Sequence, residues 1–349
     1  STWTSRLSCS SKSECSTTAE APASSIRLML STSSDNGDAD GICALHQFRL
    51  AYPREAALVS GVKRDIRLLG RVDAAAGDEV SVFDISLDVN REALVRTLAA
   101  GARVQWFDHH HAGEIPAAAT LRAYIDTDAN VCTSLIVDRH LQGRFRKWAV
   151  VAAFGDNLER PALAAAAAAG LGADEIARLR TLGVCMNYNA YGETVEDLMF
   201  APAELYARLR PFDDPADFLG ETRDLERLQA GRQQDLIMAA AQPVERVGDG
   251  ARAVVLPDAA WSRRVIGEYA NTLASEAPAL AHTVLVRRAG GYLVSLRAPL
   301  AKPAGAVALA RGFASGGGRE GAAGIDLLRE SDVDRLLAAL REAYPRPAA

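Results

Sequence analysis

The chain has 349 residues and a net charge of -5; 49% of its residues are hydrophobic but only 6% are aromatic. Such a length accommodates two domains with separate cores, and the acidic balance excludes a global basic field for a long duplex. No run approaches the roughly 20 apolar residues needed to cross a bilayer.

Charge is uneven along the chain: 14 basic and 10 acidic side chains lie from Arg246 onward, against 25 and 34 before it. An acidic part followed by a mildly basic one suits a substrate with a few phosphates. Five cysteines (Cys9, Cys15, Cys43, Cys132, Cys185) are odd in number and lack metal-ligand spacing. Reduced thiols and a cytoplasmic location are the expectation, and the first residues carry no apolar core of a signal peptide.

Residues 1–25 are rich in Ser, Thr and Cys and are expected to be disordered. A first strand is predicted over 26–33, ending in Asn36-Gly37-Asp38-Ala39-Asp40-Gly41, where two acids stand between glycines. From Gly41, Ile42, Leu45, Phe48 and Tyr52 recur at helical spacing, with Gln47 and Arg49 on the polar side and Pro53 closing the helix. Its N-terminus offers backbone N–H groups to a phosphate. Residues 58–62 read as the second strand, 64–69 as a short helix, and 80–85 as a strand carrying Asp84 near its end. Helix 90–100 is capped by Gly101, and strand 102–107 delivers Asp108-His109-His110-His111.

A polar loop at 126–130 precedes a helix from Cys132 to about Leu141; the hydroxyls of Thr133 and Ser134 are read either as helix caps or as phosphate contacts. Strand 148–154 is predicted to deliver Asp156, and the alanine run 164–169 favours a helix. Residues 174–242 are helical in pattern, interrupted by Asn187-Tyr188-Asn189-Ala190-Tyr191-Gly192, which reads as a turn or as a base-stacking loop. A linker is expected over 242–250. Strands at 253–256, 283–287 and 292–297 follow, with a helix over 263–276 and a glycine-rich loop over 316–324. Strands alternating with helices predict an α/β fold: a doubly wound parallel sheet, then a smaller C-terminal α/β domain.

A strand-end Asp taken alone is most often a helix cap. Acids at four strand ends, one followed by imidazoles, can instead converge beyond the carboxyl edge of a parallel sheet. Carboxylate and neutral imidazole suit manganese, zinc or iron.

In this order, Asp38-Ala39-Asp40-Gly41, Asp84, Asp108-His109-His110 and Asp156, the chain resembles the DHH phosphoesterase superfamily. That family includes RecJ-type single-strand exonucleases, nano-RNases that also dephosphorylate pAp, cyclic-dinucleotide phosphodiesterases, and manganese pyro- and polyphosphatases. Ser295-Leu296-Arg297 and Gly316-Gly317-Gly318-Arg319, followed by Ala322-Ala323-Gly324, resemble the DHH-associated substrate domain, with Arg319 in place of the family histidine. The resemblance implies domains at 26–185 and 246–349, joined by a helical connector at 186–245. It assigns Asp38 to a first Mn2+ ion, Asp40, His109 and Asp156 to a second, and Asp84 to both. Ser34 stands where many members have a further His, so the first site is expected to be weaker.

Two ions can stabilise both the attacking and the leaving oxygen of an in-line displacement. His110 is the candidate catalytic acid, and Asp108 is expected to orient a ligating imidazole. Arg297, Arg319 and the backbone of Gly316, Gly317 and Gly318 are the candidate phosphate contacts. The expected activity is a manganese-dependent phosphoesterase on short nucleotides or single-strand ends. Polyphosphate hydrolysis and a nucleotide sensor without turnover are the alternatives. The expected partners are a small nucleotide or short single-stranded nucleic acid and no membrane, with a homodimer as the assembly option.

Overall fold

The computed structural model describes residues 37–345. The predicted strand over 26–33, Ser34, the stretch 1–25, Cys9 and Cys15 lie outside the described residues.

Helix α1 (Ala39–Ala51) starts where Asp38, in extended conformation, accepts the amide hydrogen of Gly41 at 3.0 Å. The helix is buried along almost its whole length, and so the expected polar side is lost at Gln47. That residue is fully buried, and its Nε2 donates to the carbonyls of Cys43 and Ser134. The strand expected over 58–62 is absent: the segment is irregular, with one bridge residue at Lys63. Leu58 and Val59 pack onto the sheet from this segment, so their apolar character serves the core without ladder pairing. A single 3-10 turn, Leu68–Arg71, replaces the short helix expected over 64–69.

Strands β1 (Glu79–Phe83), β2 (Arg103–Asp108) and β3 (Leu121–Ile125) form a parallel sheet in that order, with α2 (Leu87–Ala99) crossing between the first two. Gly101, at φ +86°, takes the left-handed position after α2.

Helices α3 (Thr133–His140), α4 (Arg146–Gly155), α5 (Glu159–Ala168) and α6 (Ala173–Ala190) follow. The predicted strand at 148–154 is therefore the helix α4. Residues 148 to 153 are all fully buried, and a run that is apolar on every side shows neither period in its sequence. Small residues let these helices approach closely. A Cβ on Gly183 of α6 would lie 2.1 Å from the carbonyl oxygen of Val151 in α4, and one on Gly155 would lie 2.4 Å from Cβ of Ala39 in α1.

The expected loop at 187–192 is largely the last turn of α6. Tyr188 is buried with its hydroxyl on Asp235, and Asn189 exchanges hydrogen bonds with the backbone of Phe200. Helices α7 (Pro202–Leu209), α8 (Pro215–Glu221) and α9 (Asp224–Ala240) complete this part.

The segment read as a linker carries β4 (Val244–Val247), the edge strand of a second sheet. That sheet continues with β5 (Ala251–Leu256), helix α10 (Ala260–Glu276), β6 (Ala281–Arg288) and β7 (Gly291–Arg297). Helix α11 (Ala306–Arg311), β8 (Gly316–Gly318), β9 (Ala322–Leu328) and α12 (Val333–Ala343) end the described fold. The strand order is β4-β5-β6-β7-β9-β8, and only β5 and β6 pair in parallel. The molecule is thus α/β, with a parallel sheet and a mixed sheet. The two halves meet through α6, α9 and α10, where Arg264 reaches both Asp235 and the Tyr188 hydroxyl. No helix among the described residues is long and apolar enough to cross a membrane. Cys43, Cys132 and Cys185 are buried and free.

Candidate metal centre and adjoining cavity

Four chain turns deliver the acids. Asp38 and Asp40 open α1, Asp84 follows β1, Asp108 closes β2, and Asp156 follows α4. Asp84 takes φ +61°, a left-handed conformation that Asp tolerates better than most residues. Burial, and then the nearby carboxylates of Asp40, Asp38, Asp156 and Asp108, push its acid well above the usual carboxylate range. Such crowding of buried carboxylates calls for a cation.

Two donor groups meet that need. Ligand atoms of Asp40, His109 and Asp156 lie within 4.8 Å of one another, and so do those of Asp84, His109 and His110. His109 Nε2 lies 3.5 Å from Asp84 Oδ1, while its Nδ1 faces the carbonyl of Val131 at 2.9 Å. A carbonyl partner makes Nδ1 the donor, leaving Nε2 as the ligating nitrogen. Carboxylates with imidazoles form a donor set that fits a divalent transition metal. Asp38 belongs to neither group. Its Oδ1 is taken by the α1 amide, and its Oδ2 lies 3.7 Å from Lys63 Nζ.

Asp108 is fully buried and accepts from His110 Nδ1 at 2.7 Å. It therefore orients His110 rather than His109, and directs His110 Nε2 away from itself. His111 is exposed, with its Nδ1 accepting from the Gly113 amide.

Sequence reasoning left Thr133 and Ser134 between capping and phosphate binding, and the structure gives them another role. The amides of Thr133 and Ser134 each donate to Asp40 at 2.7 Å, and the Thr133 hydroxyl donates to Asp84 Oδ1 at 2.8 Å. The first turn of α3 thus holds two of the acids from behind.

The predicted phosphate contacts fall differently. Arg297 is tied into its own sheet and α10: it donates to Asn271 Oδ1 at 2.6 Å, the Leu296 carbonyl at 2.8 Å, Ser295 Oγ at 3.0 Å and the Gly267 carbonyl at 3.1 Å. The expected glycine loop is the hairpin β8–β9. Gly316 and Gly318 answer packing, since a Cβ would meet Ala310 O at 1.7 Å and Ala323 Cα at 2.5 Å; only Gly317 has open space. Arg319 is exposed, and neither it nor Arg297 lines the cavity described next.

That cavity, of about 340 Å³, lies between the halves and is lined by Lys63, Arg64, Tyr191, Arg263 and Arg288 among others. Lys63 joins it to the acids: its Nζ faces Asp38, donates to Asn187 Oδ1 at 3.1 Å, and lies 4.3 Å from the Tyr191 ring centroid. Arg64 pairs with Asp326 at 2.9 Å, and Arg288 pairs with Glu193 while its Nε is buried without a partner. The adjacent cations Lys63-Arg64, just after the mostly apolar stretch 56–62, were the available sequence signal for this site.

No family model and no curated protein matches the sequence. Solved structures do match the fold. A RecJ exonuclease bound to manganese aligns over 92% of this chain and 91% of its own, with 17% identity and a TM-score of 0.55. RecJ from Thermus thermophilus in complex with Mn2+ gives 19% identity and 0.59 over 93% of this chain, which spans about half (53%) of that longer protein. The pGpG-specific phosphodiesterase PggH from Vibrio cholerae gives 16% and 0.53, over 90% of this chain and 97% of its own.

Proposed function

We propose that this chain, which has the fold of the DHH phosphoesterases, is a metal-dependent phosphoesterase that cleaves short nucleotides or the terminal nucleotides of single strands. The observation that carries the reading is the joining of the two sites through Lys63, which touches both the buried acid cluster and a cationic cavity containing an aromatic ring. The cavity volume is at the small end of ligand-sized pockets, which favours one or two nucleotides over a long strand. Tyr191 supplies a stacking face that a polyphosphate would leave unused.

Asp40, Asp84, His109 and Asp156 would hold divalent ions, with His110 beside them; manganese suits these donors. A bound ion supplies Lewis acidity toward a phosphoryl oxygen. The chain's own groups do the rest. The α3 amides and the Thr133 hydroxyl fix the carboxylates, His110, oriented by Asp108, gives a proton from Nε2 to the leaving oxygen when its ring is doubly protonated, and Lys63, Arg64 and Arg288 grip phosphate oxygens that do not react.

The test is turnover of 5′-phosphorylated dinucleotides, pAp, cyclic dinucleotides and polyphosphate with Mn2+, with Mg2+ and with chelator. Metal-dependent release of mononucleotide or phosphate from the nucleotide substrates is expected. Hydrolysis of polyphosphate alone, or of none of these, overturns the reading.

A further inference from the structure

A second cavity, of about 310 Å³, lies at the opposite end of the parallel sheet from the acids. Its floor is formed near the start of the strands, where Ser81, Gln105 and Arg122 are neighbours across β1, β2 and β3. The acids stand beyond the other end of the same strands: Asp84 and Asp108 lie three residues on from Ser81 and Gln105, roughly 10 Å away.

Its charge is unbalanced. Arg49, Arg54 and Arg122 surround a single carboxylate, Glu79. Both oxygens of Glu79 are already taken, one by Arg54 at 2.8 Å and the other by Arg103 at 2.6 Å. Arg49 and Arg122 make no ion pair or side-chain hydrogen bond among the described residues. Two guanidiniums without an ion pair both line this hollow, and their planar forks match phosphate.

Its walls are aromatic. Tyr52, 45% exposed, leans on Phe48 with ring centroids 4.9 Å apart. Tyr124 stacks on Phe107 at 4.6 Å and meets the edge of His140 at 4.8 Å. Beside these rings the Gln105 amide offers both a donor and an acceptor to a planar heterocycle.

We propose that this cavity is a second binding site, separate from the metal centre, for a nucleoside monophosphate unit. The phosphate sits between Arg49 and Arg122, and the base lies against Tyr52 and Tyr124. The unit is either a free mononucleotide or one nucleotide of a single strand held away from the acids. The site does not depend on whether the chain hydrolyses its nucleotides.

Photolabelling of the full chain with 8-azidoguanosine 5′-monophosphate, followed by peptide mapping, tests the site. Label is expected on the peptides containing Tyr52 or Tyr124. Arg49→Ala and Arg122→Ala should each weaken that labelling and its displacement by GMP roughly tenfold, as expected for loss of a charge-assisted bond. Both side chains reach solvent, so the variants should fold, which circular dichroism checks. Displacement of the label by a 5′-phosphorylated octathymidylate more readily than by GMP identifies a strand as the source; the reverse identifies the free nucleotide. Label confined to the Lys63 or Tyr191 peptides overturns the proposal. So does displacement by inorganic phosphate as effective as by GMP, or affinity unchanged in both variants.

Discussion

The Thr133 hydroxyl donates to Asp84 across 2.8 Å while the amide of the same residue donates to Asp40, so one residue of α3 fixes two carboxylates from different parts of the chain. Thr133→Val removes the hydroxyl and keeps the shape. It should weaken divalent-metal affinity about 10- to 100-fold, the usual cost of losing a group that orients a ligand, and Thr133→Ser should restore most of it. Calorimetric Mn2+ titration checks both; equal affinities in all three proteins would remove Thr133 from this role.

Asp84→Asn keeps the left-handed backbone, which Asn also tolerates, and removes a charge from a crowded, buried set. Hydrolysis should fall by roughly 10²–10³-fold or more. The metal-free protein should melt higher than wild type, since the repulsion is relieved. Loss of activity with a lower metal-free Tm would point to a structural role instead.

In the cavity, Lys63→Gln and Arg288→Ala should each raise KM for a 5′-phosphorylated dinucleotide about 10- to 100-fold. Binding to a phosphate that does not react persists into the transition state, so kcat should change less. Steady-state kinetics on phosphorylated and unphosphorylated dinucleotides separates the two effects.

Arg297→Ala should act on the fold. Two of its four hydrogen bonds to protein groups, to Asn271 and Gly267, tie β7 to α10, and the other two stay within β7; cutting them should cost about 1–3 kcal/mol. Urea unfolding measures this, and Arg297→Lys should recover only part, because an ammonium cannot span the same acceptors.

His46 is buried against Trp148, with Nε2 on the Phe212 carbonyl. Burial lowers its pKa from 6.5 to about 4, and the carbonyl and Asp213 only partly offset this. Above pH 6.5 both folded and unfolded states hold it neutral, and its contribution is complete. As pH falls toward 4 the unfolded state takes up the proton first, and up to about 3 kcal/mol of stability is lost. Urea midpoints from pH 7 to 4 should show this decline, and His46→Gln should flatten it.

The acid motifs were legible because a carboxylate at a strand or helix end stands out against an apolar run. Asp156 was found although α4 was read as a strand, since the turn and not the element before it places the acid. The Lys63 cavity was legible only in pieces: Tyr191 lay in a loop read as base-stacking and Lys63-Arg64 stood side by side, but Arg263 and Arg288 join them from segments far along the chain. Tyr188 and Asn189 misled for a related reason: aromatic and amide groups look like binding groups until a buried partner such as Asp235 or Phe200 is seen to satisfy them. β3 escaped notice because its five residues are only half-buried and include an exposed Arg122.

Helices α4 and α6 touch backbone to backbone at Gly155 and Gly183, and the Cβ of Ala39 in α1 closes on Gly155, beside Asp38, Asp40 and Asp156. The spacing of those acids is therefore set by the absence of side chains at a few points. Substitutions elsewhere that conserve volume and keep these close approaches leave the carboxylates in place. A lineage can then lose nearly all recognisable likeness in its letters while keeping the same arrangement of charge. Adding one methyl group at Gly183 would disturb that arrangement more than many conservative replacements elsewhere on the three helices.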